Sequence, residues 1–117
     1  MRKAEEIQIK EEATVEDEIT GIELVLAAEV FGKSAKVPDR KLINIITKSG
    51  VVVRIPAPKG LMLVNGEWYV DNEIAYLRSI QNPASKFAAY IRKYGFPNVG
   101  KKVGLRLNKR GFWEVAL

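Results

Sequence analysis

Asn65-Gly66 stands between two apolar runs, residues 61–64 and 67–70. Both central residues of a type I′ turn need positive φ, which Asn and Gly tolerate, so this dipeptide specifies a tight β-hairpin. Two further pairs of short runs follow the same logic. Residues 42–47 and 51–55 are β-branched and separated by Lys48-Ser49-Gly50. They read as a second hairpin, with a helix from Pro38 capped by Gly50 as the competing reading. Residues 103–107 and 112–117 flank Asn108-Lys109-Arg110-Gly111, where Asn and Gly suit a type I turn with a glycine bulge.

Outside the hairpins the apolar spacing changes to three and four. Val15, Ile19, Ile22, Leu26 and Val30 predict a helix over 15–31, with Thr14 as N-cap, Glu16, Asp17 and Glu18 in its first turn, and Gly32 as its stop. Asp71 or Asn72 caps a short helix carrying Ile74, Leu77 and Ile80. Asn82-Pro83 opens another whose apolar side includes Ala84, Phe87, Ala88 and Ile91, ending at Gly95. The expected fold class is α+β, an antiparallel sheet of four to six strands built from hairpins and packed against two or three helices. At 117 residues one domain is expected, with residues 1–12 forming a flexible arm or an edge strand.

The 47% apolar content suffices for a core without staples. The chain has neither cysteine nor histidine, which removes disulfides, thiolate nucleophiles, histidine bases and the commonest metal ligands. Met1-Arg2-Lys3 leads into acidic residues instead of an apolar run, and no stretch approaches a membrane span. A cytoplasmic protein is expected. Few glutamines, no cysteine and abundant Lys, Glu, Ile and Val also suit a hot environment.

Carboxylates are the remaining catalytic candidates, and they are poorly arranged. Pro38-Asp39 resembles the start of a metal-dependent nuclease pattern, but no downstream acid has a lysine two positions later. A turn residue is the better reading of Asp39, and a helix-start pair that of Asp71 and Glu73. Gly32-Lys33-Ser34 lacks the glycine of a phosphate-binding loop, since Ala27 holds that place. The expectation is a protein that is not an enzyme and holds no cofactor or metal.

Charge asymmetry is the positive signal. The net charge is +5, yet residues 1–30 carry nine acidic side chains against three basic, and residues 31–117 carry sixteen basic against five acidic. Residues 86–117 concentrate eight cations against Glu114 alone, together with six of the ten aromatic rings. Cations neutralise phosphates, and exposed rings stack on unpaired bases. The expected function is non-catalytic binding of nucleic acid, single-stranded DNA or RNA preferred, with little base specificity. Candidate phosphate contacts are Lys93, Lys101, Lys102, Arg106, Lys109 and Arg110, and candidate stacking rings are Tyr90, Tyr94 and Trp113. Trp68 or Tyr69 is an outside choice, and Lys33, Lys36, Arg40 and Lys41 form a second basic cluster. The rival reading is a small accessory or scaffold subunit whose basic face meets an acidic protein. The acidic 15–31 helix has three readings: packing on the sheet, a homodimer seam, or carboxylates that cover the basic surface.

Overall fold

The computed structural model describes residues 14–117, so the arm or edge strand expected over 1–12 lies outside the described residues. Seven strands and three α-helices follow in the order β1 (Val15–Leu26), α1 (Ala27–Phe31), a 3-10 turn (Gly32–Ser34), β2 (Lys41–Thr47), β3 (Val52–Pro56), β4 (Leu61–Val64), β5 (Glu67–Val70), α2 (Glu73–Gln81), α3 (Lys86–Tyr94), β6 (Lys102–Leu107) and β7 (Trp113–Val115). The fold is α+β. Five strands form one antiparallel sheet in the order β3-β2-β1-β6-β7, and β4 with β5 forms a separate ribbon. The two ends of the sheet, β3 and β7, lie against each other, so the sheet curls into a partly open barrel. No helix among the described residues is long and apolar enough to cross a membrane.

The helix expected over 15–31 is instead the 12-residue strand β1, followed by five residues of helix. The register against β2 shifts between Ile19 and Gly21, the mark of a β-bulge. Before the shift, Val15, Asp17 and Ile19 share a face. After it, Ile22 and Leu24 point inward opposite Ile45 and Ile43. The extra residue stretches one inward step from two to three, and strand alternation broken in this way mimics helical spacing. Five β-branched residues, Val15, Ile19, Thr20, Ile22 and Val25, favour the strand. The bulge also lets one strand serve two partners: Val15 to Glu18 pair with β6, and the rest pairs with β2. Thr14 therefore caps no helix. The homodimer seam expected on the 15–31 helix disappears with it, because Ile19 is buried in this chain's own core.

The hairpins form where the turn residues place them. Asn65 and Gly66 both take positive φ, and β2–β3 is a hairpin, not a helix from Pro38. Asn72 caps α2 by accepting from the Ala75 amide. The cap of α3 is Ser85, accepting from the Ala88 amide, whereas Asn82 and Pro83 belong to the preceding turn. Gly95 ends α3 at positive φ. Along α3, Phe87, Tyr90, Ile91 and Tyr94 recur at three- and four-residue steps, and this stripe packs against the inward faces of the barrel strands.

Candidate nucleic-acid interface

The candidate residues separate into two groups along β6. The lower group sits on the β6–β7 turn. Asn108 organises that turn: its Oδ1 accepts from the amides of Arg110 (2.9 Å) and Phe112 (3.0 Å), and Gly111 takes positive φ. The turn holds Lys109 and Arg110 outward, and neither has a carboxylate partner among the described residues. Phe112 and Trp113 follow, 66% and 40% exposed. Strand alternation would have set these two rings on opposite faces. Phe112 escapes that rule because β7 begins only at Trp113, so both rings remain accessible.

Arg106 projects from the solvent side of β6, as its position between Leu105 and Leu107 predicts. Its Nε donates to Glu114 Oε1 across the ladder at 3.0 Å, so part of its charge is already matched. An exposed pair of this kind contributes about 1 kcal/mol or less, and a phosphate can compete for the guanidinium.

The upper group serves the fold more than the surface. Tyr90, expected as a stacking ring, is 1% exposed and belongs to the core, because the apolar stripe of α3 points it at the barrel. Burial, and then the neighbouring Tyr94, push its hydroxyl pKa up, and that hydroxyl has no hydrogen-bond partner among the described residues. Tyr94 is half-buried, and its hydroxyl donates to the Ala116 carbonyl. Lys93 Nζ donates to the same carbonyl at 3.1 Å and lies 5.4 Å from the Tyr94 ring centroid. Gly104 makes this approach possible, since a Cβ there would stand 2.7 Å from Tyr94 Oη. Lys102 faces Glu16 at 3.9 Å, with both side chains exposed, and Lys101 is exposed beside Gly95.

On the second ribbon Trp68 and Tyr69 diverge, as a strand requires. Trp68 is half-buried with Nε1 donating to the Pro97 carbonyl at 2.8 Å, and Tyr69 is exposed with its hydroxyl donating to Glu67. That bond to Glu67 is the main cause of the raised Tyr69 pKa.

Two surface features escaped the sequence reading. Phe112, next to Trp113, is the more exposed of the two rings. Arg54 projects from the outer face of the barrel, paired across the ladders with Asn44, which in turn pairs with Glu23. Its outward position was legible, since Val53 and Ile55 flank it and both are buried. Asn44 Oδ1 in this row lacks a hydrogen-bond partner among the described residues. Of the second basic cluster, Lys33, Lys36 and Arg40 are exposed on the 32–40 connection, and Lys41 opens β2. Among the described residues, no three or more acidic side chains come together in a way that could hold a metal ion.

No family model matches this chain, and neither does any curated protein or solved structure.

Proposed function

We propose that the chain is a non-catalytic nucleic-acid-binding protein that prefers single strands and reads the backbone more than the bases. The observation that carries this reading is the β6–β7 turn. Its two cations have no carboxylate partner among the described residues, and two accessible rings stand beside them on a turn fixed by Asn108. Cations beside exposed aromatic faces bind phosphates and unpaired bases together, whereas a duplex keeps its base faces hidden.

The barrel adds support by analogy. Its strand order, with the ends meeting and a helix ahead of β6, has the connectivity of five-stranded Greek-key barrels of the OB type, and such barrels bind oligonucleotides and oligosaccharides. Architecture alone assigns no function, so the turn remains the argument.

Fluorescence anisotropy with single-stranded and duplex oligonucleotides at two salt concentrations tests the reading. The expected result is micromolar or tighter binding to the single strand, weakened by salt and accompanied by tryptophan quenching. The double variant Lys109→Glu/Arg110→Glu should lose roughly tenfold or more in affinity and flatten the salt slope by about 1.4, near 0.7 per lost phosphate contact. Absence of binding at low salt sinks the proposal.

A second reading, an accessory subunit with a protein partner, draws on another surface. Helix α2 buries none of its residues; Ile74 and Leu77 are exposed, and Leu77 lies with Val70, Glu73 and Tyr76 around a shallow groove. The acids near this face, Glu67, Asp71 and Glu73, suit a basic partner instead of the acidic one expected from net charge. Ile74→Glu should abolish such a contact and leave oligonucleotide affinity intact.

A further inference from the structure

A cleft of about 740 Å³, lined by no residue of the β6–β7 turn, opens between the end of the 32–40 connection, the 56–60 loop and the junction of α2 with α3. Four cations line it, Arg40, Lys41, Lys59 and Lys86, against the single carboxylate of Asp39. None of the four has an ion-pair partner among the described residues. Sequence separation hid this convergence, because the four come from three segments up to 46 positions apart.

Main-chain bonds, not opposite charges, hold the cations together. The Arg40 carbonyl accepts from the Ala27 amide at 2.7 Å, and the Lys41 carbonyl from the Ala57 amide at 3.0 Å. The Lys59 amide donates to Ser79 Oγ at 3.2 Å, tying the loop to α2. Like charges gathered in this way repel one another and gain from a bound anion. Lys86 points the same way. It is the first residue of α3, where a cation opposes the helix dipole, and no acid offsets it in that turn. A local choice that works against the helix is expected where function needs it. Val37 and Pro56 add apolar wall, and the volume falls within the roughly 300–1,000 Å³ common for ligand sites.

We propose that this cleft binds phosphate groups, supplied by successive nucleotides of a strand or by a compact polyphosphate ligand. In the first case it is a second anchor for the strand held at the β6–β7 turn, and that case rests on the nucleic-acid reading.

The test uses the full chain and the variant Arg40→Gln/Lys59→Gln/Lys86→Gln, with Lys86→Gln alone as a folding control. Both variants should melt at or above the wild-type temperature. Two probes are titrated: a labelled oligothymidylate across a salt series, and tripolyphosphate by calorimetry. A strand source predicts that the triple variant flattens the oligonucleotide salt slope by up to about 2, near 0.7 per lost contact, with no tripolyphosphate heat in either protein. A compact source predicts tripolyphosphate heat with wild type that the triple variant loses at least tenfold. If wild type binds tripolyphosphate in this way but no oligonucleotide, the cleft stands and the nucleic-acid reading falls. If the oligonucleotide binds wild type and triple variant alike, and tripolyphosphate binds neither or both equally, the cleft proposal is overturned. The nucleic-acid reading then survives on the Lys109 and Arg110 result. Neither probe binding wild type overturns both.

Discussion

Tyr94 and Trp113 belong to the same basic and aromatic third of the sequence, each beside cations, yet the fold treats them differently. Tyr94 lies on a helix whose stripe faces the barrel, so its ring tilts against Tyr90 at 5.0 Å and its hydroxyl pins the Ala116 carbonyl. Lys93 adds a second donor to that carbonyl. Trp113 opens a three-residue strand beside a turn, and β7 is too short to cover both it and Phe112. Composition selected the region correctly but could not divide it. The division depends on whether a carbonyl or a core lies within reach, and that is set by partners more than ten residues away.

Breaking the α3 side should cost stability and spare binding. Tyr90→Ala empties a site in the barrel core, and by analogy with Phe→Ala changes it should cost about 3–5 kcal/mol. Against a typical total of roughly 5–15 kcal/mol, that is a large drop in denaturant midpoint. Oligonucleotide affinity of the folded fraction should not change. A variant that unfolds like wild type would show that the ring is not where the core needs it.

Breaking the turn side should do the reverse. Trp113→Ala removes a ring available for stacking and should weaken single-strand binding by about 1–3 kcal/mol, roughly 5- to 150-fold. Its melting temperature should fall much less than that of Tyr90→Ala. Equal affinity in wild type and variant would take Trp113 out of the site and leave the turn as a purely electrostatic contact.

The same contrast explains what was legible in the sequence. Asn65-Gly66, Lys48-Ser49-Gly50 and Asn108–Gly111 fixed three hairpins, because a requirement for positive φ is local and few residues meet it. The 15–31 segment misled because the bulge at Thr20 is a tertiary device. It is needed to bend one strand between β2 and β6, and nothing within the segment announces it except the β-branched content and Gly21. Tyr90 was misassigned for a related reason. Tyr90 lies three residues after Phe87, on the same buried stripe, but its polar tip suits a surface as well as a core. Arg54 could have been found from alternation alone. The meeting of Lys59 and Lys86 with Arg40 could not, since only the barrel and the α2–α3 junction bring them together.

A smaller change sharpens the comparison within α3 itself. Tyr94→Phe keeps the ring and deletes one hydrogen bond, so it should cost about 1 kcal/mol in chemical denaturation. Lys93 remains to satisfy the Ala116 carbonyl, which keeps the loss from growing. An unchanged affinity would separate Tyr94 from the binding surface. A loss of affinity larger than the loss of stability would return it there.

The smallest expected effect lies where β1 meets the β2–β3 turn. The Ser49 hydroxyl donates to Asp17, and this bond is the chief reason that the Asp17 pKa lies below its ordinary value. A carboxyl whose folded pKa is depressed adds stability above its unfolded pKa, and that stability is lost as pH falls through the folded value. Ser49→Ala should therefore be slightly less stable than wild type at neutral pH, and the two should converge in acid as Asp17 protonates. Asp17 is solvent-accessible, so screening keeps the difference small. Carboxyl NMR titration gives the direct check: the Asp17 midpoint should rise toward the ordinary aspartate value in the variant. A wild-type Asp17 that already titrates there would mean that the hydroxyl does not hold it. The turn would then be held by the Thr47 hydroxyl, which donates to the Val51 carbonyl at 2.7 Å, by the Thr47 and Gly50 amides, and by Gly50 at positive φ.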